Sequence, residues 1–77
     1  MNITILFFGQ LAEVTGTSSL KLSGISDTDE LKNTLRKQFP ALEGLTYSIA
    51  VNKKMIQQKT TLKHEDEVAL LPPFSGG

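Results

Sequence analysis

Between Asp27 and Pro40 the chain carries a helix signal with a start, a stripe and a stop. Asp27-Thr28-Asp29-Glu30 fits a capping box, in which the Asp27 carboxylate accepts an open backbone N–H of the first turn and Glu30 reaches back. Acids gathered at this end also meet the positive pole of the helix dipole. Leu31, Leu35 and Phe39 recur at i, i+4 and i+8, giving one apolar stripe, while Lys32, Asn33, Arg36 and Lys37 face water. Pro40 stops the helix, since proline has no N–H and disfavours helical backbone at the residue before it. A helix with a single apolar stripe has to lay it against another layer, and the rest of the chain offers strands.

Asn2 to Phe8 is rich in β-branched and aromatic residues. Alternation puts Ile3, Ile5 and Phe7 on one face and Asn2, Thr4, Leu6 and Phe8 on the other. Gly9 ends the run, Gln10 to Thr15 has room for about one helical turn, and Gly16 starts a reversal into a strand at Ser18 to Leu22, a hairpin-like first pair. Beyond Pro40 a loop carrying Gly44 leads to a strand at Tyr47 to Val51 and a short edge strand at Met55-Ile56. A turn at Lys63-His64-Glu65-Asp66 precedes the last strand, Glu67 to Leu71, where Val68 and Leu70 share one face and Ala69 and Leu71 the other. The pattern predicts an α+β roll of the ubiquitin-like, β-grasp kind: a mixed sheet covered on one face by one main helix. By analogy with that fold, the first and last strands are parallel neighbours at the sheet centre. Phe8 and Leu71 then fall on the uncovered face and, joined by Met55, form a candidate partner surface.

A chain of 77 residues has room for one small core, so residues 1–77 are expected to form a single domain. Eight Lys and Arg balance eight Asp and Glu with no basic cluster, which argues against nucleic-acid or anionic-membrane partners and leaves proteins. The absence of cysteine removes disulfides, a thiolate nucleophile and Cys-based zinc sites, and suits a cytoplasmic setting. The apolar run Ile3 to Phe8 is too short to span a membrane. His64 is the only histidine and lies in a charged turn, which supports neither a metal site nor a catalytic dyad. Asp66 and Glu67 are adjacent, so within a strand they would point apart instead of converging as an acid–base pair. With no glycine-rich phosphate loop, this chain is expected to bind no cofactor, and any ATP would sit on a partner.

Pro72 and Pro73 end ladder pairing and hold the following segment extended, so residues 72–77 are expected to form a flexible tail that projects from the sheet. Gly76 and Gly77 lack a Cβ, which lets the terminus thread a narrow channel. A bare carboxylate is a poor electrophile and needs activation before any nucleophile can displace its oxygen. Ala50-Val51-Asn52, the run Asp66 to Gly77 and the segment Leu6 to Glu13 with Gly16 together resemble the small, sulfur-carrying subunit of molybdopterin synthase, over nearly the whole chain. Ala12, where many relatives carry arginine, and Phe74, where many carry a smaller aliphatic residue, depart from that pattern.

The resemblance implies that Gly77 bears the acyl-adenylate and then the thiocarboxylate, with Gly76 threading the tail. It implies contacts to partners through Phe8, Met55, Leu71, Pro72, Pro73, Phe74 and Ser75. An adenylating enzyme similar to ubiquitin-activating enzymes would use ATP on Gly77, and the large synthase subunit would receive the loaded tail in a heterotetramer. The chain would donate sulfur to a cyclic pyranopterin precursor without being an enzyme on its own. Alternatives are carriers for thiamine synthesis or transfer-RNA thiolation, or a modifier that forms isopeptides.

Overall fold

The computed structural model describes residues 2–72. The expectations placed on Pro73, Phe74, Ser75, Gly76 and Gly77, a flexible tail among them, lie outside the described residues. In chain order the elements are β1 (Asn2–Phe7), α1 (Gln10–Thr15), β2 (Ser19–Ser23), α2 (Thr28–Gln38), a 3-10 helix (Pro40–Gly44), β3 (Ser48–Val51), β4 (Lys54–Ile56) and β5 (Glu67–Leu71). The strands form one sheet in the order β2-β1-β5-β3-β4. β1 and β5 run parallel at its centre, with Ile5 beside Val68 and Phe7 beside Leu70. The other pairs are antiparallel. This is the mixed, helix-covered sheet that the pattern predicts.

The capping box at α2 forms with one adjustment. Asp27 Oδ1 accepts the Glu30 N–H at 2.8 Å, but Glu30 Oε1 accepts from the Ser26 N–H at 3.0 Å, one residue before the cap. The segment after the helix differs more from expectation. Pro40 opens a 3-10 helix where a loop carrying Gly44 is predicted, because a first helical position needs no N–H from proline. That short helix buries Leu42.

The core joins Ile3, Ile5 and Phe7 of β1 to Val68 and Leu70 of β5, Ile49 of β3, and Leu31 and Leu35 of α2. Phe39, at the end of the stripe, is only partly buried and meets Phe7 edge-on, with ring centroids 5.9 Å apart at 78°. Two core residues, Ile25 and Leu62, come from outside helices and strands. An isolated bridge between Asp27 and Thr61 and a 2.9 Å bond from the Leu62 N–H to the Ser26 carbonyl bring their segments together. Thr28 is buried beside them, and its hydroxyl oxygen accepts the Thr60 N–H at 3.0 Å.

A polar lock ties the far end of β5 to the β3–β4 hairpin. Asn52 and Lys53 both take positive φ, 50° and 70°, as a two-residue hairpin turn requires, and asparagine tolerates this better than most residues. Asn52 Nδ2 donates to Asp66 Oδ1 at 2.9 Å, and Asn52 Oδ1 accepts the Glu67 N–H at 3.0 Å. Asp66 Oδ2 accepts the Lys63 N–H at 2.7 Å. Asp66 thus stands in the turn and closes it. The hydrogen bond from Asn52, and then that from the Lys63 amide, hold its carboxyl below the usual aspartate range. A depressed folded-state pKa contributes stability that is fully present above the unfolded pKa, near 4, and is lost as pH falls through the folded value. Asp66→Asn is therefore expected to lower stability at pH 7 by a small amount, because solvent screens so exposed a carboxylate, with the gap to the parent narrowing toward pH 3. Urea titrations of both proteins at the two pH values check this; a gap independent of pH would show that the carboxylate charge contributes nothing.

Candidate partner surface and root of the tail

On the face of the sheet away from α2, the strand registers line up Leu6, Ala69, Ala50 and Met55 across β1, β5, β3 and β4. The next row toward the exit of the chain holds Leu71 of β5, opposite Ser48. Phe8 lies beside it, and its N–H donates to the Leu70 carbonyl at 3.2 Å. One row the other way stand Thr4, Glu67 and, opposite Thr4 on β2, Lys21. The open face is thus apolar at the end where the chain leaves the sheet and polar at the other end.

Phe8 is 45% exposed and Met55 53%. Leu71, expected to be exposed with them, is instead half-buried. It sits on the central strand with neighbours on both sides, whereas Met55 is on the edge strand β4 and Phe8 lies just past the end of β1. Leu6, which the sequence reading leaves out of the patch, is half-buried in the same apolar row. Its place on the uncovered strand face was the available signal.

The last described residue, Pro72, is half-buried and packs on Gly9. Gly9 takes φ 57° and ψ −135°, and a Cβ built on it would stand 3.0 Å from Pro72 Cγ. From Gly9 the chain turns away from the sheet into α1, whose first bonds run from the Leu11 N–H to the Phe8 carbonyl and from the Ala12 N–H to the Gly9 carbonyl, both 3.1 Å. Ala12 itself packs against the core.

Surface hollows of about 370 and 420 Å³ flank Tyr47 and share Lys32, with Arg36 lining the first and Lys59 the second. Burial pushes the Tyr47 hydroxyl pKa up, with Arg36 pulling the other way. Neither hollow includes Phe8, Leu71 or Pro72. Among the described residues no group of three or more His, Cys, Asp or Glu side chains could hold a metal ion. No described helix is long and apolar enough to cross a membrane. Among the described residues, the arrangement places a partly exposed apolar patch beside the point where the chain leaves β5.

Residues 5–77 match the ThiS family. The chain belongs to that family. Among relatives of this ThiS-family chain, the molybdopterin synthase sulfur carrier subunit of Chlamydomonas reinhardtii is 35% identical, with each chain covered in full. The solution structure of small archaeal modifier protein 1 from Methanosarcina acetivorans superposes with a TM-score of 0.82 at 29% identity, covering 99% of this chain and 96% of the other. A chain of the protein-protein complex of subunits 1 and 2 of molybdopterin-converting factor from Helicobacter pylori does so with a TM-score of 0.75 at 28% identity, each chain covered in full. The ThiS-family chain is thus similar in sequence to a protein named as a sulfur carrier subunit, and in fold to a modifier and to a chain of a converting-factor complex.

Proposed function

We propose that this ThiS-family chain is the sulfur carrier subunit of a molybdopterin synthase. The observation that carries the reading is the coincidence of two features at one end of the sheet: an apolar patch with Phe8 and Met55 exposed, and the exit of β5 toward Gly76-Gly77. The similarity to a named sulfur carrier subunit over its full length supports it. In this reading, as the family resemblance implies, the sulfur cargo is carried on the α-carboxylate of Gly77. An adenylating partner would use ATP to convert that carboxylate to an acyl-adenylate, releasing pyrophosphate; a protein persulfide would then displace AMP to give an acyl disulfide, and a partner thiol would cleave its S–S bond, forming a disulfide and releasing the thiocarboxylate. The large subunit would take the thiocarboxylated tail, guided by Pro72, Pro73, Phe74, Ser75 and Gly76, and supply the catalytic side chains. Incubation with ATP, a sulfur donor and the adenylating enzyme tests this: the C-terminal peptide should gain the mass of one oxygen exchanged for sulfur, and sulfur found elsewhere on the chain would refute it.

The apolar patch would serve both partners in turn. Burying each of its large side chains contributes about 1.5 to 3 kcal/mol, roughly ten- to a hundredfold in affinity. Phe8→Glu and Met55→Glu are the cleaner tests because about half of each residue already stands in water, whereas the more covered Leu71 also supports the fold. Each variant should keep its circular dichroism spectrum and bind both the adenylating enzyme and the large subunit more weakly. Unchanged affinity for both would remove the shared-face assignment.

A second reading, a modifier joined to lysines through isopeptides, is favoured by the likeness to small archaeal modifier protein 1. It predicts conjugates whose lysines carry the branch His64 to Gly77 in tryptic digests of whole cells, since Lys63 is the last lysine or arginine, and no dependence of precursor conversion on this chain.

A further inference from the structure

We propose that Gly9 is a positioning residue for the sulfur-bearing end: its bare Cα seats the Pro72 ring and so sets the direction in which the chain leaves β5. The inference rests on the sulfur-carrier reading for its functional consequence and on the geometry of residues 8, 9, 70 and 72 for its substance. Two independent features require glycine at this place. The backbone, at φ 57° and ψ −135°, lies outside the basins open to L-residues with a side chain. The space is also taken: an added Cβ would meet Pro72 Cγ at 3.0 Å, Cδ at 3.7 Å and Cβ at 4.0 Å. A proline ring cannot swing aside as a flexible side chain would, since its φ is tied into the main chain.

The seat follows directly from the last ladder bond between the two central strands. The Phe8 N–H donates to the Leu70 carbonyl at 3.2 Å, and two residues further on Pro72 has no N–H with which to continue the ladder. Packing on Gly9 takes over where hydrogen bonding stops. The direction established there is the one in which the chain sets out from β5, and a displacement of about 1 Å at a reacting centre already costs near a hundredfold in rate.

The test uses the full chain, made by chemical synthesis, as Gly9→Ala, Gly9→D-Ala and Pro72→Ala, with thiocarboxylate formation by the adenylating enzyme measured at varied carrier concentration. Gly9→Ala should lower kcat about tenfold or more, with KM within about twofold because the exposed sheet face is unaltered. A D-residue prefers the mirror-image backbone that position 9 adopts and carries its methyl on the other side of Cα, so Gly9→D-Ala should rescue the rate. Pro72→Ala introduces no strain at residue 9 and should also lower kcat. Should Gly9→Ala fail to fold, Pro72→Ala and Gly9→D-Ala still decide the matter. Residual dipolar couplings of residues 70–72 give a readout independent of sulfur chemistry, and they should change in Gly9→Ala and not in Gly9→D-Ala. Equal loss in the L- and D-variants, a Pro72→Ala rate equal to the parent, or unchanged couplings in a folded Gly9→Ala would overturn the positioning role. No sulfur loading of the unaltered chain, with the couplings behaving as stated, would instead overturn the carrier reading and leave the geometric seat standing.

Discussion

Removal of Gly77 is expected to abolish productive sulfur loading, by at least about a hundredfold, while leaving thermal stability unchanged. Deletion draws the reactive carboxylate back by one residue, roughly 3.3 to 3.6 Å of extended chain, against a near-attack tolerance of about 1 Å. The penultimate position, glycine in the parent, is then Ser75, so the shortened tail ends in Gly76 with a bulkier neighbour. The core is untouched, since its members lie between Ile3 and Leu70. The shortened chain should therefore still bind the adenylating enzyme with near-parent affinity, which separates recognition by the sheet from chemistry at the terminus. Single-turnover thiocarboxylation followed by mass spectrometry gives the rate, and a binding titration gives the affinity. A deletion variant that loads sulfur at the parent rate would place the cargo somewhere other than Gly77.

The second large effect concerns adjacent phenylalanines with opposite roles. Phe7 is 3% exposed, between Leu70 of β5 and the edge-on ring of Phe39, so Phe7→Ala leaves a cavity and is expected to cost about 3 to 5 kcal/mol. Domains of this size commonly hold only about 4 to 12 kcal/mol in total, so the variant should be substantially unfolded near its former melting temperature. Phe8→Ala removes a side chain that is 45% exposed and should shift stability by less than about 1 kcal/mol while weakening partner binding. Urea unfolding of the pair makes the contrast directly. Similar stability losses in both would mean that the strand does not divide its two faces as described.

That division was legible early because side chains alternate along a strand, so the identities of Ile3, Ile5 and Phe7 already named the core face of β1. The start of α2 was equally local: Asp27 and Glu30 carry their capping atoms within one turn. Boundaries moved by a residue or so, as at β2, where Ser18 to Leu22 becomes Ser19–Ser23. The 3-10 helix after Pro40 was missed since proline both ends one helix and is permitted to begin another, and the sequence alone does not say which.

By itself, then, the sequence determined the strand faces, the capped helix, the absence of any thiol and the resemblance on which the carrier reading first stood. These depend on residues within a few positions of one another, or on composition. Only the tertiary structure decided that Ile25 and Leu62 join the core from outside helices and strands, that Leu71 is half covered while Met55 is open, and that Asn52 and Asp66 close a lock across the β3–β4 turn and the start of β5. It alone brought Pro72 onto Gly9. Each of those contacts joins segments distant in the chain, and its existence depends on how the sheet places β5 between β1 and β3, an arrangement that no local preference encodes.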